Sequence, residues 1–100
     1  MMLGNILLKL IYSRAMEFKD RIIIEGYPMS KIAATTPKAI CIEFIDRNKK
    51  WNTWIPKKII TINSSKDINV YSEDVKEINI SLPEWFLQTE NMRLILIPRN

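Results

Sequence analysis

The chain of 100 residues is 47% hydrophobic and 26% charged, with a net charge of +4 at pH 7, which is typical of one globular domain and excludes a disordered or fibrous protein. It contains no histidine and one cysteine, Cys41, so Ser-His-Asp and Cys-His catalysis, an internal disulfide and the commonest kind of zinc site are excluded within one chain. We therefore expect a protein that is not an enzyme, carries no cofactor or metal and works in a reducing compartment.

Residues 2–18 are predicted to form an amphipathic helix. Leu3, Leu7 and Leu10 fall near one stripe, while polar residues recur every four positions on another. The segment lacks the basic start and the small-residue cleavage site of a secretory signal, and its apolar run is too short and interrupted to span a bilayer, so no membrane partner is expected. A helix lying on a membrane surface, and translation that starts at Met16, are the alternatives.

The middle of the chain is predicted to be mostly β-structure. Residues 21–28 form a short strand that ends at a glycine and a proline, and residues 30–37 form a small-residue connection. Residues 38–45 alternate apolar side chains, and residues 46–50 have the composition of a turn. Residues 51–56 are the returning strand, so the two strands and the turn predict a β-hairpin.

The next part continues this pattern. Residues 57–62 are expected to be extended, residues 63–67 to form a turn and residues 68–71 to form a short strand. Residues 75–82 place isoleucine and leucine at every second position, which predicts a half-buried strand.

The C-terminal part is predicted to begin with a short helix at residues 83–90. Pro83 suits the first turn of a helix, and the helix dipole favours an acid such as Glu84 behind it. Residues 92–98 are predicted to be a final strand, or a tail that adds to a partner's sheet.

Together these elements predict an α+β fold in a single domain, residues 1–100. An N-terminal helix at residues 1–20 precedes a β-rich core at residues 21–100. The core is expected to be a small, mostly antiparallel, curved sheet of about five strands, with the short helix after the fifth strand. A homodimer is expected, because a partner would bury isoleucine-rich surface that a short chain cannot bury alone.

The most informative segment for function is DRNKKWNTWIPKK, residues 46–58, in which two tryptophans lie among five basic residues. Bases stack on aromatic rings, and lysines neutralise phosphates. Strand positions 51 and 54 have opposite parity, so the two indoles cannot both face the core unless a bulge intervenes. Trp54, next to Ile55 and Pro56, is predicted to be in the core, and Trp51 is predicted to be the exposed ring. Structural packing or contact with a protein partner is the alternative interpretation of the same residues.

Charge along the chain also favours a nucleic-acid surface. Residues 38–58 carry six basic and two acidic groups, whereas residues 61–90 carry two basic and six acidic groups. We therefore expect non-sequence-specific binding of single-stranded nucleic acid, with DNA as the first candidate. The candidate binding residues are Lys38, Arg47, Lys49, Lys50, Trp51, Lys57 and Lys58.

Two other features of the sequence could carry chemistry. Cys41 lies in the middle of a strand, where a small buried apolar residue is the usual explanation. Glu73, Asp74 and Glu77 could hold a magnesium ion in a metal-dependent nuclease, although a solvated acidic face is the favoured interpretation.

Three short motifs resemble a family of small viral proteins. They are Lys38-Ala39 at the start of a strand, Trp54-Ile55-Pro56-Lys57 on the returning strand and Pro83-Glu84-Trp85 at the start of the short helix. The pattern covers residues 37–88 and resembles small proteins of filamentous and rod-shaped viruses of hyperthermophilic archaea, and also phage proteins. Some of that group are similar to a non-sequence-specific single-stranded-DNA-binding protein that works as a dimer in genome replication.

The resemblance implies a thermostable homodimeric protein that acts in viral genome replication or maintenance, in the cytoplasm of the host cell. The residues it implicates are Lys38, Trp54, Lys57 and Trp85. The alternative is a viral structural or interaction module that binds no nucleic acid.

Overall fold

The structure is a computed structural model that describes residues 16–46 and 49–96. Its elements are β1 (Arg21–Ile24), β2 (Ser30–Thr35), β3 (Ala39–Asp46), β4 (Lys49–Pro56), a 3₁₀ turn (Lys57–Ile59), β5 (Thr61–Val70), β6 (Glu73–Ser81), α1 (Glu84–Leu87) and α2 (Glu90–Leu96). No helix in the two described ranges is both long enough and apolar enough to cross a membrane.

The six strands form one open, mixed sheet in the order β4-β3-β2-β1-β6-β5. The central pair, β1 and β6, is parallel, and every other neighbouring pair is antiparallel. The prediction of a mostly antiparallel sheet in an α+β fold is therefore confirmed. Strands β4 and β5 are the two edges of the sheet.

One face of the sheet carries the hydrophobic core. The buried apolar side chains of the strands lie on this face, where the two C-terminal helices and Met16 cover them. Phe86 of α1 and Met92 and Ile95 of α2 pack into this layer. The buried residues of the sheet in this core are Ile22, Ile24, Ile32, Ile40, Ile42, Phe44, Ile55, Ile78 and Ile80.

The other side of the sheet, which we call the open face, has no helix over it in the described part of the chain. Strand alternation places Arg21, Lys31, Glu43, Trp54 and Glu77 on this side, because each is an odd number of positions from a buried neighbour on its own strand. A nucleic-acid strand could reach the open face, so the position of each candidate binding residue relative to this face is the question for the site.

The structure corrects several element predictions. The sheet has six strands instead of five, because residues 30–35 form β2 instead of a connection. Residues 63–67 are not a turn but lie inside β5, where they pair with β6. The predicted final strand is wrong over residues 92–96, which belong to α2.

The helices also differ from the prediction. The predicted short helix at 83–90 is a single turn, α1, followed by the separate helix α2. Residues 16–18, the end of the predicted N-terminal helix, are not helical, and residues 2–15 of that helix lie outside the described residues.

Candidate nucleic-acid interface

The β3–β4 hairpin places its two tryptophans on opposite faces of the sheet. Phe44 pairs with Trp51 and Cys41 pairs with Trp54. Trp51 is half-buried and packs against the core, whereas 51% of Trp54 is exposed on the open face. The parity argument is confirmed, but the assignment of the exposed ring to Trp51 and of the core ring to Trp54 is wrong.

The physical reason for this reversal is the residue next to Trp54. Ile55 is completely buried opposite the buried Ile40. Since successive side chains of a strand point to opposite faces, a buried Ile55 turns Trp54 towards solvent and Trp51 towards Phe44.

Trp54 stands beside small side chains. Its cross-strand partner is Cys41, and Ala34 is the partner of Cys41 on the next strand. Cys41 is 6% exposed although it lies on the open face, which a large indole directly opposite it explains. Burial, and to a smaller extent the charge of Glu43, raises the pKa of the Cys41 thiol. The thiol is therefore protonated and weakly nucleophilic, as a structural residue should be.

The candidate lysines form two groups at the two ends of β4. At one end the backbone N–H of Lys57 donates to the carbonyl oxygen of Lys38 at 2.8 Å, and Lys58 follows. At the other end Lys49 and Lys50 are exposed, and Lys50 shares the parity of Trp54. The two ends are about 20 Å apart along the strand. Arg47, the remaining candidate cation, lies outside the described residues.

The turn between β2 and β3 fixes the backbone at Lys38. The hydroxyl oxygen of Thr36 accepts hydrogen bonds from the backbone N–H of Ala39 at 3.0 Å and of Lys38 at 3.3 Å. Side chains of this type stabilise turns by replacing backbone partners. The exposed Lys38 is therefore held next to Lys57 by the backbone on both sides.

A row of charged residues crosses the middle of the open face, one from each successive strand. In the order β3 to β5, the row is Glu43, Lys31, Arg21, Glu77 and Lys66. Its acids partly neutralise its cations, and the Lys66 Nζ lies 3.3 Å from a carboxylate oxygen of Glu77.

Several cations on the open face and at the ends of the hairpin form no ion pair with a described residue. Among the described residues, no carboxylate forms an ion pair with the cations of the hairpin or of the β1–β2 pair. These cations are Arg21, Lys31, Lys38, Lys50, Lys57 and Lys58. Positive charge is therefore concentrated on and beside the hairpin half of the sheet.

The acidic cluster of β6 does not converge on one point. Glu73 and Glu77 lie on one face of the strand and Asp74 on the other. Glu73 pairs with Lys19 at 3.2 Å, and the Asp74 carboxylate accepts a hydrogen bond from the Asn69 side chain at 3.0 Å. In the described part of the chain, no group of three His, Cys, Asp or Glu side chains could hold a metal ion.

Sequence reasoning missed two cations of the open face, Arg21 and Lys31. The alternation of Ser30, Lys31 and Ile32 was the available signal, because it places Lys31 on the face of β2 opposite to that of the buried Ile32. That signal was hidden by the small residues that follow, which favoured a connection over a strand.

The residues implicated by the viral resemblance lie on both sides of the sheet. Lys38, Trp54 and Lys57 belong to the hairpin region, whereas Trp85 is exposed on α1, on the side of the core. Comparison of the chain with protein-family models, with curated proteins and with solved structures finds no match.

Proposed function

We propose that this protein binds single-stranded nucleic acid without sequence preference on the open face of the β3–β4 hairpin. The observation that carries the proposal is the half-exposed indole of Trp54, which stands among small side chains between two groups of lysines. An indole face stacks on any base, and each such contact contributes about 1–3 kcal/mol. A base must be unpaired to stack in this way, which favours a single strand.

The lysines supply the sequence-independent part of the affinity. Lys38, Lys57 and Lys58 lie at one end of the hairpin and Lys50 at the other, so a bound strand would meet cations before and after the stacked base. Neutralised phosphates release counterions, which makes the affinity depend on salt. Lys49, the exposed first residue of β4, remains a candidate, and so does Arg47, which lies outside the described residues, on sequence grounds.

The wider biological role follows from the viral resemblance. It supports replication or maintenance of a viral genome as the process, and a homodimer as the working form. DNA is the first candidate because the resembled protein binds single-stranded DNA.

The test is the affinity for a fluorescein-labelled oligothymidine, measured by anisotropy at several salt concentrations. With the four lysines above on phosphates, the logarithm of the association constant should fall against the logarithm of salt concentration with a slope of about −3. Trp54→Ala should weaken binding by about fivefold or more at low salt.

The matched control is Trp85→Ala, because Trp85 is 61% exposed but lies on the opposite side of the sheet. It should bind like the wild type. An unchanged affinity of the Trp54→Ala variant would reject stacking at this site.

A protein-binding module is the second candidate function. It is favoured by the mixture of acids and bases across the open face, Glu43, Lys31, Arg21 and Glu77, since mixed charge suits a protein partner better than a polyanion. Absence of oligonucleotide binding at low salt would favour this candidate.

A further inference from the structure

A groove lies on the open face between β2 and the β5–β6 pair, where β1 is too short to fill the sheet. β1 begins at Arg21. Before it, residues 17–20 occupy the space between β2 and β6 without forming a strand. The backbone N–H of Lys19 donates to the carbonyl oxygen of Ile32 at 3.0 Å, which joins this segment to β2. The groove has a volume of about 290 Å³ and is lined mainly by Phe18, Arg21, Lys31, Val70, Tyr71 and Val75.

The groove combines exposed aromatic rings with apolar strand residues. Phe18 is 61% exposed and Tyr71 is 97% exposed. Val70 and Val75, from β5 and β6, add apolar surface to the lining. The Nζ of Lys19 lies 5.9 Å from the centre of the Phe18 ring, so this ring already has a cation over it.

Tyr71 lies in a turn whose backbone conformation is unfavourable for tyrosine. Tyr71 and Ser72 form the two-residue turn between β5 and β6 with φ values of 51° and 67°. Glycine, asparagine or aspartate adopt this left-handed conformation at lower cost than tyrosine. A fully exposed aromatic side chain in that conformation gains no packing in return, which points to a role in binding.

The charge of the groove is positive. Lys19 and Glu73 pair with each other at 3.2 Å and cancel. Arg21 and Lys31 also line the groove, and neither forms an ion pair with any residue in the described ranges. The lining therefore carries a net positive charge beside its aromatic rings, with Glu77 and Glu43 opposite Arg21 and Lys31 on the neighbouring strands.

We propose that this groove is a second base-binding subsite for the same single-stranded nucleic acid. The strand would leave Trp54, cross β3 and β2, and place another base against Phe18 and Tyr71, with phosphates on Arg21 and Lys31. Four strand spacings of about 4.8 Å separate β4 from β6, so the bound strand would cross about 19 Å of the sheet. This inference rests on the proposed function and adds the direction of the strand, across the β-strands.

Aromatic rings next to unpaired cations fit a nucleotide better than the other occupants of an apolar groove. A base offers a flat ring for stacking, and its phosphate needs the cations. An apolar peptide would leave Arg21 and Lys31 without partners, and a second copy of the chain carries the same net charge of +4. A second copy is one outcome of the following test.

The test compares Phe18→Ala and Tyr71→Gly with the wild type in the same anisotropy titration with labelled oligothymidine. Each variant should bind oligothymidine at least about fivefold more weakly than the wild type. Tyr71→Gly suits the left-handed turn, so it should keep or raise thermal stability, which separates loss of binding from loss of folding. Trp85→Ala is the matched control for Phe18→Ala, since both side chains are 61% exposed and lie on opposite sides of the sheet.

Two lysine variants test the phosphate contacts. Lys31→Ala should make the salt dependence shallower by about 0.7, the value of one phosphate contact on a single strand. Lys66→Ala removes a cation from the same row that is already paired with Glu77, so the salt dependence should stay unchanged.

The outcomes distinguish this inference from the proposed function. If Trp54→Ala weakens binding while Phe18→Ala and Tyr71→Gly bind like the wild type, the groove is not a subsite and the hairpin proposal stands. If the wild type binds no oligothymidine at low salt, both proposals fail. A change of oligomeric state in Phe18→Ala or Tyr71→Gly, with unchanged affinity for oligothymidine, would assign the groove to a second copy and overturn the inference.

Discussion

At the scale of single residues, the two tryptophans of the hairpin have separate tasks. Trp51 lies opposite the buried Phe44 and packs against the core, whereas Trp54 is half-exposed opposite Cys41. A ring in the core contributes to folding through buried apolar area, whereas a ring on the open face would contribute to the proposed binding through stacking. Stability and affinity should therefore respond to different substitutions.

Trp51→Ala should lower the free energy of unfolding by about 2–3 kcal/mol, because it removes a large, partly buried ring and leaves a cavity beside Phe44. Trp54→Ala should cost less than about 1 kcal/mol, since half of that ring is already in water. Urea denaturation of the two variants and the wild type measures both values. Equal losses in the two variants would contradict the separation of tasks.

The sequence predicted this arrangement only in part. The alternation of Ile40, Ile42 and Phe44 correctly fixed the core face of β3, and the spacing of the tryptophans correctly required one exposed ring. Which ring is exposed depends on the cross-strand register. The parity of Ile55 would have settled it, since a buried Ile55 excludes Trp54 from the core.

At the scale of elements, the segment before β1 takes the place of a longer strand. Asp20 is 5% exposed, and its carboxylate accepts the backbone N–H of Glu17 at 2.9 Å and of Lys76 at 3.1 Å. Its own carbonyl oxygen accepts the N–H of Ile32 at 2.8 Å. One residue therefore connects β2 with β6 where β1 has not yet begun, and it also supports the floor of the groove.

Asp20→Ala should lower the free energy of unfolding by about 1–3 kcal/mol, because two backbone N–H groups lose a charged acceptor in a partly buried place. Glu25→Ala, which removes an exposed acid in the turn after β1, is the control and should change stability by less than about 0.5 kcal/mol. Thermal or urea unfolding measures both. A loss no larger in Asp20→Ala than in Glu25→Ala would show that the carboxylate does not hold the segment.

The elements that sequence analysis missed have different physical causes. Residues 63–67 are polar and exposed on both faces of β5, so no apolar alternation reveals the strand, and only its pairing with β6 does. Residues 92–96 look like a strand because they are rich in isoleucine and leucine. Met92 and Ile95 are three positions apart and both buried on the core face, which is the spacing of a helix.

At the scale of the whole molecule, each face of the sheet holds one side chain that is a weak acid, Tyr27 on the helix side and Cys41 on the open face. Tyr27 lies on the helix side, with its ring 6.0 Å from that of Phe44, and its hydroxyl is buried without a hydrogen-bond partner among the described residues. Burial, and then the negative charge of Glu84, raises the pKa of Tyr27. Cys41, on the open face, also has a raised pKa because of burial and the charge of Glu43. Each face therefore holds a weak acid whose pKa is raised by folding.

These shifts predict how stability changes with pH. The folded protein keeps the protons of Cys41 and Tyr27 at pH values where the unfolded chain loses them, so the unfolded state binds fewer protons and stability falls as pH rises. The fall should begin near the ordinary cysteine pKa of about 8.5 and continue through the ordinary tyrosine pKa of about 10. Since the chain has no histidine, stability should be nearly constant between about pH 6 and 8.

Urea denaturation at a series of pH values tests this profile, with Cys41→Ala as the matched variant. Removal of the thiol should flatten the first part of the decline, between about pH 8.5 and 10, and leave the later part, which belongs to Tyr27. Oligothymidine affinity should change little from about pH 6 to 8, because the chain has no histidine. A decline of stability that begins below about pH 7 would contradict the assignment, since neither weak acid titrates there.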